Sequence, residues 1–494
     1  MGSLLIGSKQ SLYMRITRGI VTKSFLWKFF EKTSVQAVNF LITIVLARLL
    51  LPSEFGIVAL ILVFINIANV IVDGGFNSAL IQSKEADDTD FATIFFFCIA
   101  VSIGMYGILF FCAPLISAFY KNVELVKVIR VLSFILVLYA INSVQHAYIA
   151  KNMLFKKLFV CSFFSVLLSG LIGIFLAYRG YGVWAIVFQQ LFLQLLSIIF
   201  TFYYVKWYPK WRFSMTSLHK LFDYGWKIFA SNIIISIFTN IRKLIVGRVF
   251  SPSSLAFFER GEQFPSLIMA NINTSINAVL FPSFSNEQDN KQKVKHMMRR
   301  STKISCFFIY PLTTLLIVSA APLVSFLLTD KWQPTVPFIQ ILSIANYFLP
   351  ITLANLIAIK ALGYSNIILK LELVKKVIDI IILIVSVSLG LHAIAWGIVV
   401  YNFICIFINL YPSKKILEYG IPEQVKDALP TLFVSLIMGG MVYWIQFVQY
   451  PPLIVLFLQL TAGIFIYTIL CILIREESML YLYNIIRKKL ENQI

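Results

Sequence analysis

The chain has 494 residues, 59% hydrophobic and only 13% charged, with a formal net charge of +20. A soluble domain carries about a quarter charged residues, so the composition excludes an ordinary globular protein. Apolar runs recur from residue 25 to residue 474. They are continuous rather than alternating, which excludes a β-barrel and leaves an all-α polytopic membrane protein.

In chain order, residues 1–24 hold Lys9, Arg15, Arg18 and Lys23 with no cleavable signal pattern. Residues 11–30 read as amphipathic and interfacial. The apolar runs then predict about fourteen spans of roughly 20 residues or more: 25–50, 54–74, 91–113, 126–150, 157–178, 181–205, 221–250, 254–282, 301–321, 335–361, 367–389, 391–412, 428–447 and 452–474. The expected organisation is an N-terminal lobe of six spans over 25–206, a linker over 207–220 and a second six-span lobe over 221–413. Two extra spans follow over 428–474, then a tail over 475–494.

Loop charges orient this arrangement. With the N-terminus cytoplasmic, the inner segments hold Lys151, Lys156 and Lys157, then Lys206, Lys210, Arg212 and Lys220, and then a basic loop over 284–300. Lys414, Lys415, Lys426, Arg475 and Arg487 continue the series, whereas the outer segments hold little beyond Lys121, Lys127, Arg179 and Lys331. This asymmetry places both termini in the cytoplasm. It also accounts for the net charge without nucleic acid.

No enzyme motif stands out. Asp87-Asp88-Thr89-Asp90 sits alone on a short loop without a nucleotide-binding unit, and there is no P-loop. The six cysteines, Cys98, Cys112, Cys161, Cys306, Cys405 and Cys471, lie in apolar runs with no CxxC pair and read as small core- or lipid-facing residues. The expectation is neither catalysis, metal nor cofactor.

The chain repeats itself. Ala47-Arg48 and Pro52-Ser53 return as Gly247-Arg248 and Pro252-Ser253, and Asn77-Ser78-Ala79-Leu80 faces Asn277-Ala278-Val279-Leu280. Further on, Leu132-Ser133 corresponds to Leu342-Ser343 and Gly180 to Gly390. Spans one to six thus resemble spans seven to twelve. Six is even, so the copies enter the membrane from the same side and are related by a pseudo-two-fold axis along its normal.

Polar residues recur at helical spacing inside the spans. Span seven carries Asn232, Ser236, Thr239, Asn240 and Lys243; span one carries Gln36, Asn39 and Thr43 in the same register. Span two carries Asn66, Asn69, Asp73 and Asn77, and span eight carries Glu259, Glu262, Ser266, Asn273 and Asn277. Two readings stand for the Asn, Ser and Thr residues: glue between packed helices, or the wet lining of a path. Charges are costlier, at least about 2.5–3.5 kcal/mol for one Arg or Lys at mid-bilayer. Arg242 and Lys243 fall midway along their span. Arg48 and Arg248 fall at equivalent helix ends, where snorkelling to headgroups is the alternative. Arg260 has internal pairing with Glu259 or Glu262 as its alternative. A cationic cluster of this kind suits an anionic group, and Arg matches phosphate oxygens with paired donors.

The stretch from Phe40 to Phe64, FLITIVLARLLLPSEFGIVALILVF, the run Asp73-Gly74-Gly75-Phe76-Asn77-Ser78-Ala79-Leu80-Ile81-Gln82, and the return at Val249-Phe250-Ser251-Pro252 through Phe258-Glu259-Arg260 resemble Wzx-type polysaccharide and O-antigen flippases. The resemblance is to the lipopolysaccharide and colanic-acid exporter branch of the multidrug/oligosaccharidyl-lipid/polysaccharide superfamily and covers roughly residues 20–420. It implies two six-helix lobes around a central cavity in a bacterial inner membrane, opening alternately to each side. It implies a substrate of oligosaccharide linked through diphosphate to a polyprenyl lipid. On that reading Arg242, Lys243, Arg248, Arg48 and Arg260 are candidates to hold the diphosphate. Asn232, Ser236, Asn240, Asn273, Asn277, Gln36, Asn39 and Thr43 line the sugar path, and Asp73, Glu259 and Glu262 are candidates for coupling to H+ or Na+. Partners implied are membrane lipids and the polysaccharide polymerase machinery. The rival readings are a drug or organic-cation antiporter of the same superfamily, a lipid II flippase, and a scaffold of the export machinery.

Overall fold

A computed structural model describes the backbone of residues 2–481 and 487, and the side chains of residues 26–269, 272, 276, 280–364, 366–481 and 487. The described residues form helices and no strand. In order they are α1 (Gly2–Leu49), α2 (Pro52–Asp73), α3 (Phe76–Gln82), α4 (Asp88–Tyr120), α5 (Leu125–Leu132), α6 (Ile135–Lys151), α7 (Phe155–Tyr178), α8 (Val183–Val205) and α9 (Met215–Val249). There follow α10 (Pro252–Ser285), α11 (Lys291–Leu328), α12 (Val336–Ile344), α13 (Leu349–Ala361), α14 (Ser365–Leu389), α15 (Leu391–Leu417), α16 (Ile421–Tyr443) and α17 (Pro452–Ile474).

Among the described residues, twelve helical segments are long and apolar enough to cross a membrane, with α5–α6 and the segment Asp330–Ala361 each counting as one. The helices α10 and α14 occupy the expected eighth and eleventh spans and reach spanning length, but both carry several charges. The architecture is thus all-α and polytopic, with about fourteen spans.

The repeat has structural counterparts. Arg48 and Arg248 each stand in the last turn of a helix, α1 and α9. Pro52 and Pro252 each open the next, where the missing N–H costs nothing. Each copy also breaks one span, after Leu132 in the first and after Ile344 in the second, but Ser343, the counterpart of Ser133, still lies inside α12. Gly180 and Gly390 both take positive φ, 80° and 106°, ahead of α8 and α15. One difference is local: the first copy turns at Gly74-Gly75, both left-handed, and restarts as α3, whereas α10 runs on without a break.

Two expectations change, while α1 runs as one helix of 48 residues through the N-terminal segment and the first span. The basic stretch 291–300 is not loop but the opening of α11, because Asn290 caps it by accepting from the Lys293 N–H at 3.0 Å and its Lys, Gln, Met and Arg residues favour helix. The acidic Asp87–Asp90 stretch is a helix cap. Asp87 accepts from the Thr89 and Asp90 amides at 2.9 Å each, and Asp90 accepts from the Asp87 amide at 3.2 Å, a reciprocal capping box for α4.

The chain divides into two compact units, Met1–Leu255 and Ala256–Ile494. In the first, α7 packs on α1 and α8, α4 packs on α6, and α9 packs on α2, α3 and α4. Its core gathers around Trp207, which stacks on Tyr148 at 5.4 Å and meets Phe91 and Phe95 edge-on. In the second, α11 is the central contact, touching α12, α13, α16 and α17. Small residues set the approach of the last two helices: a Cβ on Gly439 would meet Thr314 at 2.3 Å, and one on Gly463 would meet Leu315 at 2.3 Å.

Candidate functional site

The candidate residues fall into two groups. In the first unit the cations stand on α9. Arg242 and Lys243 are half-buried but do not lie midway: α9 starts at Met215 and ends at Val249, which places both cations in its last third, within two turns of its end. Two turns on, the Arg248 guanidinium sits 4.7 Å over the Phe119 ring at the end of α4, and the neighbouring Tyr120 hydroxyl donates to the Leu244 carbonyl at 3.5 Å. Arg248 is therefore held by an aromatic face at the helix end. Arg48, its counterpart in the repeat, is exposed.

The polar stripe of α9 is mostly committed to its own helix. Asn240 is buried and donates to the Ser236 carbonyl at 2.8 Å; the Thr239 hydroxyl donates to the Ile235 carbonyl at 2.8 Å. Asn232 is exposed and Ser236 half-buried. On α1, Gln36 and Thr43 are half-buried and Asn39 is exposed.

Asp73 is the last residue of α2, where the helix dipole presents its negative end. Its carboxylate accepts from the Asn77 side-chain amide, so the Gly74-Gly75 turn brings these two together. A carboxylate at that end of a helix is a poor choice for stability alone.

In the second unit Glu259, Arg260 and Glu262 stand half-buried near the start of α10. The Arg260 guanidinium donates to the Gln263 side chain, a partner absent from the sequence reading. Gly261 beside it fixes α10 on α12, for a Cβ there would meet the Phe338 Cβ at 2.3 Å. The side chains of Asn273 and Asn277 lie outside the described residues.

The sequence reading missed a buried polar network at the base of α16. Asn355 of α13 and Gln424 of α16, both fully buried, exchange amide hydrogen bonds at 2.7 and 3.2 Å, and Gln424 also donates to the Tyr419 carbonyl at 3.0 Å. Asp427 accepts from Arg299 at 2.7 Å and from the Tyr419 hydroxyl at 2.7 Å, with Lys303 at 3.4 Å. Burial, and then the bond to Asp427, push the Tyr419 hydroxyl above its ordinary range. The available signal was the spacing of Gln424, Asp427, Thr431 and Ser435, all buried on one face of α16.

A family model described as polysaccharide biosynthesis protein matches residues 45–337. The chain belongs to that family. Among curated relatives it is 21% identical over 376 residues to the teichuronic acid biosynthesis protein TuaB of Bacillus subtilis, covering 75% of this chain and 78% of that one. It is 23% identical over 304 residues to the lipopolysaccharide biosynthesis protein WzxC of Escherichia coli, covering 61% and 62%. Among solved structures, the lipid II flippase MurJ in an inward closed conformation superposes with a TM-score of 0.73 at 16% identity, covering 91% of this chain and 99% of that one. An inward-facing multidrug resistance MATE transporter superposes with a TM-score of 0.60 at 16% identity, covering 79% and 98%. These likenesses show that the chain shares the fold of those two structures. The resemblance to Wzx-type exporters read from residues 40–82 and 249–260 agrees with the family.

Proposed function

We propose that this polysaccharide biosynthesis family member is a flippase, moving polyprenyl-diphosphate-linked oligosaccharide repeat units across a bacterial inner membrane by alternating access. The observation that carries the reading is the pair Arg242 and Lys243, two half-buried cations in the last third of a membrane helix of a chain from this family. Cations are expensive there, and a diphosphate is the anionic group that repays them through charge-assisted hydrogen bonds. Asn, Ser and Thr side chains on the same helices suit sugar hydroxyls. The protein itself performs no covalent chemistry on this reading, and both termini face the cytoplasm, where the polymerisation machinery's precursors are made. H+ or Na+ is the coupling ion, with Asp73, Glu259 and Glu262 as its candidate carriers.

Deletion of the gene, followed by analysis of lipid-linked oligosaccharides, tests the reading. Accumulation of one diphosphate-linked repeat unit on the cytoplasmic leaflet is expected. Normal glycolipids with raised drug sensitivity would instead favour an organic-cation antiporter, the reading to which the embedded Asp73 lends itself. Accumulated lipid II would point to the peptidoglycan precursor.

A further inference from the structure

The helix α11 is too long for its span. Its 38 residues extend about 57 Å at 1.5 Å per residue, against a hydrocarbon core of about 30 Å. The first thirteen residues, 291–303, hold six cations and no acid, and the apolar run begins at Ile304. A cleft of about 960 Å³ opens along this stretch, lined by Lys293, Arg299, Arg300 and Lys303 of α11 and by Glu477 and Tyr481 after α17. Ile304 also lines it, so the cleft begins where the helix leaves hydrocarbon, at the depth of lipid headgroups.

The cleft is held open by contacts of its own. Buried Asp427 takes Arg299 from behind, Lys303 bridges Asp427 at 3.4 Å and Glu477 at 2.5 Å, and Lys293 is fixed by Glu287 at 2.6 Å. Arg300 lies flat against the Tyr481 ring at 3.3 Å, which orients its guanidinium without neutralising it. The six cations outnumber the four acids that pair with them, Glu287, Glu423, Asp427 and Glu477. The amino-terminal end of α11 adds its positive dipole to that surplus. Topology alone asks for positive charge on this side of the membrane; it does not ask for a walled cleft with an aromatic clamp.

We propose that this cleft binds the phosphate headgroup of an anionic membrane phospholipid, a site separate from the substrate residues and independent of the substrate's identity. Arg300 and Lys293 donate to the phosphate oxygens, and the acyl chains lie along the apolar run that starts at Ile304.

Native mass spectrometry of the full-length detergent-purified protein, titrated with phosphatidylglycerol and with phosphatidylcholine, tests this. Preferential retention of phosphatidylglycerol is expected, reduced by about thirtyfold in the double variant Lys293→Gln/Arg300→Gln, since each basic residue at a charged surface contributes about a tenfold or smaller factor. The variant Lys414→Gln/Lys415→Gln removes the same charge from the exposed end of α15 and should leave retention nearly unchanged. Equal losses in the two variants, or equal retention of the two lipids, would overturn the proposal. So would displacement of phosphatidylglycerol by micromolar inorganic pyrophosphate, which would assign the cleft to a soluble phosphate. Melting curves of both variants separate lost binding from lost folding, and the single variant Arg300→Lys, which keeps the charge, should retain the lipid.

Discussion

Gly56 of α2 lies against the backbone of Pro252, so that a Cβ built on Gly56 would stand 1.8 Å from the Pro252 carbonyl oxygen. Gly247, the repeat partner of buried Ala47, is as tightly placed: its Cβ would meet Leu60 at 2.0 Å. Close approach of backbones through small residues is how membrane helices gain packing energy without a hydrophobic driving force. The packing of α2 on the end of α9 and the start of α10 is therefore built on absent side chains. Gly56→Ala is expected to cost more than the roughly 1–3 kcal/mol of ordinary overpacking, because the obstacle is backbone. Gly440→Ala, where nothing lies within 4 Å, should be neutral or stabilising by up to about 1 kcal/mol. Melting temperatures in detergent check this; equal values for the two variants would contradict the close approach.

That contact also shows what was legible in the chain. Apolar run length and loop charge were enough for the spans, because a bilayer requires both. The repeat was readable where backbone geometry demands a residue type, at Pro52 and Pro252 and at Gly180 and Gly390. The breaks after Leu132 and Ile344 were not readable, because nothing in the residues there announces them. What stayed hidden depends on long-range partners. Lys291 to Arg300 read as loop because charge dominates composition, yet Asn290 caps them into helix. The embedded charges were visible individually, but their partners were not: Arg248 rests on Phe119 and Arg260 on Gln263.

The polar network under α16 predicts a stability hub in the second unit. Asp427→Ala leaves Arg299, Lys303 and the Tyr419 hydroxyl without their shared acceptor. Arg299 is 46% exposed and can be hydrated, so the loss is expected at about 1–3 kcal/mol, mainly from stranding the Tyr419 hydroxyl and losing charge-assisted bonds, whereas Tyr419→Phe should cost about 1 kcal/mol. The sign with pH follows from the raised Tyr419 hydroxyl. Its contribution is complete below the ordinary value of 10.0 and is lost as the pH rises beyond it. Thermal unfolding between pH 8 and pH 11 should therefore show a steeper alkaline loss in the wild type than in Tyr419→Phe. Parallel curves would rule the hydroxyl out.

Arg242 and Lys243 predict a transport phenotype larger than any loss of folded protein. Each is half-buried on α9. A charge-assisted contact to a diphosphate is worth about 1.5–3 kcal/mol, so Arg242→Ala should lower flipping by roughly 10- to 100-fold per unit of membrane protein. Arg242→Lys should retain part of the activity, because the charge survives while the paired donors do not. Lys210→Ala, which removes an exposed pair with Asp88, is the comparison and should have little effect. Complementation of a deletion strain, normalised to membrane protein level, gives the readout. Wild-type rates in both Arg242→Ala and Lys243→Ala would remove these residues from the substrate path.

Asp73 carries the prediction about energy. It ends α2 at the unfavourable end of the helix dipole, and it accepts from neutral groups, the Asn77 side-chain amide and the Gly75 backbone N–H. Replacing it with Asn should therefore not destabilise the fold and should raise the melting temperature slightly, since a negative end charge of about 0.3–1 kcal/mol is relieved. If Asp73 carries the coupling ion, the same variant flips substrate at a rate indifferent to an imposed proton or sodium gradient, while the wild type accelerates with one of them. Reconstituted vesicles with each gradient set separately distinguish the ions. A wild type that ignores both gradients ends the coupling idea. A coupled wild type whose response survives in Asp73→Asn moves it to Glu259 or Glu262, where the equivalent amide substitutions repeat the test.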